Sequence, residues 1–87
     1  MTNDINKRLE ELNIHIDKAS APAGSYIPYV ISNNLVFVSG QLPFINGELT
    51  VKGKIGDNVS IEDGIQMAEA CAMALLSQLK EACNGDL

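Results

Sequence analysis

The spacing of apolar residues changes period along the chain. Between Asn3 and Leu12, the residues Ile5, Leu9 and Leu12 fall at i, i+4 and i+7 among Asp4, Lys7, Arg8, Glu10 and Glu11, which predicts a short amphipathic helix. Thr2 or Asn3 is suited to cap it and Asn13 to end it in the left-handed conformation. Ala19 to Ser25 is small in side chain and broken by Pro22, a linker or an ordered loop. Tyr26–Ser32 and Leu35–Gly40 are then rich in β-branched and aromatic residues on either side of Asn33-Asn34, which predicts a β-hairpin with a tight turn. In the second run Leu35, Phe37 and Ser39 share one face and Val36 and Val38 the other. Both faces are apolar enough to predict cover on both sides. Asn46-Gly47, inside Phe44 to Val51, marks a second, short hairpin-like excursion.

The period returns to that of a helix after Gly53 and Gly56. Ser60 is placed to cap, Asp63 sits at the reciprocal capping-box position, and Glu62 and Asp63 suit the positive end of the helix dipole. From Ile61 to about Cys83, the residues Ile61, Ile65, Ala68, Ala72, Leu75, Leu76 and Leu79 recur at three- and four-residue spacing. They form one broad apolar face of a long helix. The small-residue run from Ala68 to Ala74 lets that helix lie close to a sheet, Lys80 belongs to its last turn, and Gly85 is placed to stop it. The expected order of elements is helix, β-hairpin, long helix.

Composition narrows the classes of function. Eighty-seven residues make one domain. A formal net charge of -5 opposes neutralisation of phosphates, so nucleic acid is not an expected partner. No apolar run approaches the roughly 18 residues of a membrane span, and the polar first residues do not resemble a signal sequence; a cytoplasmic location is expected, with no membrane partner. Cys71 and Cys83 lie about 18 Å apart on one helix, too far to pair within a chain, so reduced thiols are expected. With neither a CxxC nor a Cys/His cluster, no metal is expected. A chain of this size buries about 60 to 65% of the surface it exposes when unfolded, which favours homo-oligomerisation.

Most candidate chemistry has a structural explanation. His15, Asp17 and Ser39 have the residue types of a nucleophilic triad, but nothing in their spacing aligns them. Gly53-Lys54-Ile55-Gly56 lacks phosphate-loop spacing and reads as a turn, and Asn58-Val59-Ser60 reads as a helix cap. Glu10, Glu11, Glu69 and Glu81 read as solvated helix faces. Met67, Met73 and Leu76 read as core or subunit contact. The exception is Tyr29 with the turn Ser39-Gly40-Gln41-Leu42-Pro43. A strand that ends in Ser-Gly-Gln-x-Pro bares backbone N–H groups beside a glycine, and such a place suits a carboxylate or carbonyl oxygen.

Ala21-Pro22, Tyr26-Ile-Pro-Tyr29-Val, Leu35-Val-Phe-Val-Ser-Gly-Gln-Leu-Pro43, Gly53-Lys-Ile-Gly56 and the alanine-rich helix follow one another in an order and spacing that resembles the RidA/YjgF family, whose members also carry the name L-PSP endoribonuclease. The likeness runs from about Leu9 to Leu87. It is greatest to a longer branch with an extra N-terminal helix, here Leu9-Glu-Glu-Leu-Asn-Ile.

The resemblance implies an α+β, chorismate-mutase-like fold with a helix packed on a mainly antiparallel sheet, of which this chain holds the N-terminal half, together with assembly of three subunits around an axis and clefts between neighbours. It implies a hydrolytic deaminase in which water attacks the carbon of a reactive enamine or imine, such as 2-aminoacrylate, to give a 2-keto acid and ammonia without a cofactor. Carried over by position, Tyr29 matches the cleft tyrosine, and Ser39 and Gly40 match a Ser-Gly pair whose backbone lines the pocket. These three are the expected substrate-binding residues, and no catalytic residue is assigned. The resemblance also implies a substrate-clamping arginine, a cysteine and a carboxylate in a second half that has no counterpart here, since Arg8 is the only arginine and lies in the N-terminal helix. Residues 1–87 are therefore expected to be one incomplete RidA-like domain. The alternative is a non-catalytic small-metabolite-binding or oligomerisation module on the same scaffold. Ribonuclease chemistry fits poorly with the net charge and the single histidine.

Overall fold

The computed structural model describes residues 4–21, 24–49 and 51–87. Four elements follow in order: α1 (Asp4–Glu11), β1 (Tyr29–Ser32), β2 (Leu35–Val38) and α2 (Ile61–Ala82). The two strands form one antiparallel pair with Tyr29 opposite Val38, Val30 opposite Phe37, Ile31 opposite Val36 and Ser32 opposite Leu35. α2 packs against both strands. The expected order of helix, hairpin and long helix is the one observed. Strand pairing stops three residues later at the start and two residues earlier at the end than the β-rich runs predict, because Tyr26 to Pro28 and Ser39-Gly40 leave the regular ladder. The expected caps Thr2 and Asn3, and Pro22 of the proline-broken stretch, lie outside the described residues.

Asparagine makes the turns. Every described non-glycine residue with positive φ is an asparagine: Asn13 at +56°, Asn33 at +55°, Asn46 at +52° and Asn84 at +56°. The short polar side chain tolerates the left-handed region that β-branched residues avoid. Asn33 turns the main hairpin. Asn46, followed by Gly47 at φ +80°, closes a small hairpin in which Ile45 and Glu48 exchange both backbone hydrogen bonds, at 2.9 and 3.1 Å.

Asn13 and Asn84 end the two helices in the same way. Ile14 N–H donates to Leu9 and Asn13 N–H to Glu10, and likewise Gly85 N–H to Lys80 and Asn84 N–H to Glu81, the double closure of a Schellman motif. The stop at the end of α2 is thus Asn84, with Gly85 one residue beyond it. At the other end of α2 the Ser60 hydroxyl accepts from the Asp63 N–H at 3.1 Å, as the cap pattern predicts. The Asn6 amide donates to the Gly85 carbonyl at 3.1 Å and ties α1 to the far end of α2.

The face that α2 buries is not the one its apolar periodicity marks. At 100° per residue, Ile61, Ile65, Ala68, Ala72 and Leu75 fall on one stripe, and all five are exposed, Ile61 by 67% and Ile65 by 55%. The buried side carries Ala70, Cys71, Ala74, Ser77 and Gln78, small or polar residues that let the hairpin and the loops approach closely. The expectation of cover on both faces of β2 also fails. Val36 and Val38 are half-buried toward α2, whereas Leu35 and Phe37 are 62% and 58% exposed. Among the described residues only Val59, Ser77 and Gln78 are buried, so two apolar layers lack a partner among them.

Val59 owes its burial to a tight loop. Asn58 accepts from the Lys54 N–H at 2.9 Å through its amide oxygen and donates to the Lys52 carbonyl at 3.3 Å, wrapping the segment around Gly53, whose φ is +141°. A Cβ at Gly53 would be driven into the Asn58 amide. Gly53→Ala is expected to destabilise the chain by about 2 kcal/mol through this clash and the forbidden φ. Ser60→Ala is expected to cost about 1 kcal/mol through loss of the cap. Urea unfolding followed by the circular dichroism of α2 measures both.

Candidate functional site

Where β2 ends, the chain is held without a ladder. The Ser39 N–H donates to the Pro28 carbonyl at 2.9 Å and its hydroxyl donates to the Ile27 carbonyl, so one serine bridges two consecutive carbonyls of the opposing strand. The Gln41 side-chain amide donates back to the Ser39 carbonyl at 3.0 Å, and the Cys71 thiol donates to the Gln41 carbonyl at 3.5 Å. That weak S–H bond hangs the loop on the buried side of α2. The Phe44 N–H then closes onto the Leu42 carbonyl at 2.9 Å across Pro43. The proline supplies the fixed φ that this tight turn requires.

Tyr26 completes the site from the other strand. Its N–H donates to the Gly24 carbonyl at 3.0 Å, which turns the ring back over Gly24; a Cβ there would lie 3.1 Å from the ring. The tyrosine hydroxyl reaches the Gly40 carbonyl at 3.5 Å. Tyr26, Ser39, Gly40, Gln41 and Leu42 line an open cavity of about 590 Å³. Gly40 is required neither by its backbone angles nor by its neighbours, since a Cβ there would meet nothing within 4 Å. Its lack of a side chain leaves bare backbone at the cavity.

Of the three expected substrate-binding residues, Ser39 and Gly40 line this cavity and Tyr29 does not. Tyr29 begins β1 opposite Val38, half-buried on the α2 side of the hairpin. Gln41 and Leu42 belong to the turn that the sequence marks out beside Ser39 and Gly40, whereas Tyr26 was not singled out for the site. Tyr26 had a signal available, since it lies two residues before Pro28, which cannot donate to a ladder, and so falls outside the regular strand.

His15 and Asp17 are not brought to Ser39. His15 Nε2 and Asp17 Oδ1 pair at 3.6 Å on the surface and line a separate groove of about 500 Å³ with Phe44 and Met73. The Ser39 hydroxyl is spent on a backbone carbonyl. None of the described residues lining the Tyr26 cavity is charged. No cluster of three or more His, Cys, Asp or Glu side chains able to hold a metal ion occurs among the described residues, and Cys71 and Cys83 are free thiols. No helix among them is long and apolar enough to cross a membrane. The cavity therefore offers a phenol hydroxyl, bare backbone and an uncharged wall, a setting that can orient a small polar molecule and a water.

Known proteins share this architecture. The crystal structure of the protein Atu1372 from Agrobacterium tumefaciens, of unknown function, superposes with a TM-score of 0.78 at 42% identity over 95% of this chain and 50% of its own. A putative endoribonuclease from Shewanella oneidensis superposes with a TM-score of 0.81 at 28% identity, over 91% of this chain and 52% of its own. Protein TCP17 of Trypanosoma cruzi is 38% identical over 79 residues, 91% of this chain and 49% of the relative. The chain thus spans about half the length of the proteins it matches. Residues 6–87 match the family described as "YjgF/chorismate mutase-like, putative endoribonuclease". With the α+β architecture and the Ser39-Gly40 cavity in place, that match over nearly the whole chain makes it a member of the YjgF/chorismate mutase-like family.

Proposed function

We propose that the chain forms one side of a deaminase cleft for small enamines and imines. The observation that carries this reading is the uncharged cavity in which the Tyr26 hydroxyl, the Gly40 backbone and the Gln41 segment converge. In the reaction, water adds across the C=N bond of the imine. Its oxygen bonds to carbon and a proton passes to nitrogen. The C–N bond of the resulting carbinolamine then breaks, and ammonia leaves a 2-keto acid. Such a reaction needs a positioned water and a route for a proton, and it needs no electron acceptor. A hydroxyl that both donates and accepts, held at the cavity edge by the Gly40 carbonyl, fits the first need. Tyr26 takes the place that the sequence reading gave to Tyr29.

The cleft in this reading is completed from outside the chain. The described lining has no cation for a substrate carboxylate, so the clamp comes from a neighbouring subunit or from a further segment of a longer polypeptide. A homotrimer is the assembly proposed, with the exposed sheet face of Val30, Leu35 and Phe37 in the subunit contact. Residues 1–87 act as one unit of such a domain, working on a diffusible metabolite in the cytoplasm. RNA is disfavoured as the substrate because a cavity without cations, in a chain of net charge -5, gives phosphates nothing to pair with.

The test is the decay of 2-aminoacrylate generated in place and followed by absorbance. The chain is expected to accelerate the decay, and Tyr26→Phe is expected to lower that acceleration by about tenfold or more, the scale of a lost catalytic proton or hydrogen-bond donor. Tyr29→Phe is expected to change it little. If the chain leaves the decay unchanged but 2-keto acids shift the amide resonances of Gly40 and Tyr26, the site belongs to a non-catalytic binding module. Phe37→Lys is expected to dissolve the trimer while leaving α2 folded, which sedimentation and circular dichroism together record.

A further inference from the structure

Two asparagines of the chain are followed directly by glycine, Asn46-Gly47 and Asn84-Gly85. Both asparagines stand at positive φ, +52° and +56°, and both are exposed. The backbone around them differs. The Gly85 N–H donates to the Lys80 carbonyl at 2.8 Å, the Asn84 N–H to that of Glu81 at 3.2 Å and the Asp86 N–H to that of Cys83 at 3.1 Å, while the Gly85 carbonyl accepts from the Asn6 amide. The Gly47 N–H has no acceptor among the described residues. Its turn is held by the two bonds between Ile45 and Glu48, an isolated bridge with no ladder behind it.

We propose that Asn46 is a site of spontaneous deamidation through a cyclic imide formed with Gly47. The Gly47 amide nitrogen gives its proton to hydroxide and bonds to Cγ of Asn46. The Cγ–Nδ2 bond breaks, and ammonia leaves with a proton taken from water. Water then adds to either carbonyl carbon of the five-membered ring, and the ring C–N bond at that carbon breaks. Opening at the side-chain carbonyl leaves an aspartyl residue at position 46, and opening at the main-chain carbonyl leaves an isoaspartyl residue there. The sum consumes one water and releases one ammonia, with no oxidation or reduction.

The fold directs this chemistry to one of the two pairs. Attack requires the asparagine to swing out of its left-handed turn so that the next nitrogen reaches Cγ. A following glycine has no Cβ to oppose that swing, and the space around Gly47 is open, since a Cβ there would meet nothing within 4 Å. Opening the Asn46 turn is a local event that costs two hydrogen bonds, whereas opening at Asn84 undoes the end of α2 and its tie to α1. The other asparagines precede residues that carry side chains.

The product changes a surface distinct from the Tyr26 cavity. Asn46 and Gly47 line the groove that also holds His15, Asp17 and Lys18, so a new carboxylate appears on its wall and the chain becomes one unit more negative than -5. An isoaspartyl link carries the main chain through Cβ and lengthens it by one carbon, so Ile45 and Glu48 cannot keep both of their bonds. The inference stands apart from the deaminase reading.

The experiment keeps the 87-residue chain warm at mildly alkaline pH, digests samples over time and follows the two Asn-Gly peptides by mass spectrometry, with isoaspartyl methyltransferase to mark the isoaspartyl product. In the folded chain Asn46 is expected to convert about tenfold faster than Asn84, the scale of the additional hydrogen bonds that must open at the helix end. In urea the two rates are expected to draw together, because the difference belongs to the fold. Gly47→Ala is expected to slow conversion at Asn46 in urea as well as in buffer, so the outcome does not depend on whether that variant folds. Equal rates at the two sites in the folded chain, or faster conversion at Asn84, overturn the proposal. Conversion at Asn46 without any isoaspartyl product overturns the imide route.

Discussion

Everything else in the chain is hung on the inner side of α2, and the hanging is done by small and polar side chains. Gln78, 2% exposed, donates to the Ser20 carbonyl at 3.1 Å and fixes the segment that leads from α1 toward the hairpin. Cys71 fixes the loop after β2 through the Gln41 carbonyl. The Gly85 carbonyl, just past the helix end, fixes α1 through Asn6. These three contacts bridge 58, 30 and 79 residues of sequence. Each therefore closes a long loop whose entropic cost a single hydrogen bond, worth about 1 kcal/mol, cannot offset alone. They are effective because α2 is already rigid: its cap at Ser60 and its Schellman closure at Asn84 leave few frayed ends. Position comes from the hydrogen bonds, and most of the rigidity comes from the helix.

The same arrangement explains why the cavity is built where it is. Once the Gln41 carbonyl is tied to α2, the Ser39-Gly40 backbone cannot continue along the ladder and must swing out beside Tyr26. Ser39 uses both its N–H and its hydroxyl to hold that departure point against Ile27 and Pro28. It is a fastener of the site rather than a nucleophile. A glycine follows at the one place where neither the backbone angle nor a neighbouring atom asks for one. The missing side chain at Gly40 leaves bare backbone at the open cavity beside Tyr26.

Local chemistry made much of this legible in advance. Both helices, the hairpin, the Asn46-Gly47 turn and the Ser60 cap follow from residues whose preferences act within a few positions. So does the free state of Cys71 and Cys83, set by helix rise alone. Which face of α2 lies inward was not legible. Apolar periodicity reports a face that wants cover, not what supplies the cover, and here the alanine, serine and glutamine side won the hairpin because small side chains permit close approach. Tyr29 was marked by its position in a motif; it pairs opposite Val38, whereas Tyr26 precedes the ladder and lines the cavity beside Gly40, a placement that the motif alone does not give.

Two apolar layers left bare by a single helix and a two-stranded sheet impose a constraint of their own. A hairpin and one helix cannot bury both faces of either element, and the described residues contain one fully buried hydrophobic side chain, Val59. Further burial must then come from polypeptide beyond the described residues, in a chain that spans about half the length of the proteins it matches. The face of Leu35 and Phe37 continues through Val30, which pairs with Phe37, and such a β-branched and aromatic face suits sheet packing. The α2 stripe is narrow and graded from large to small to large, which suits a helix. The two surfaces differ in shape, one a sheet face and the other a helix stripe, so each calls for cover of its own kind.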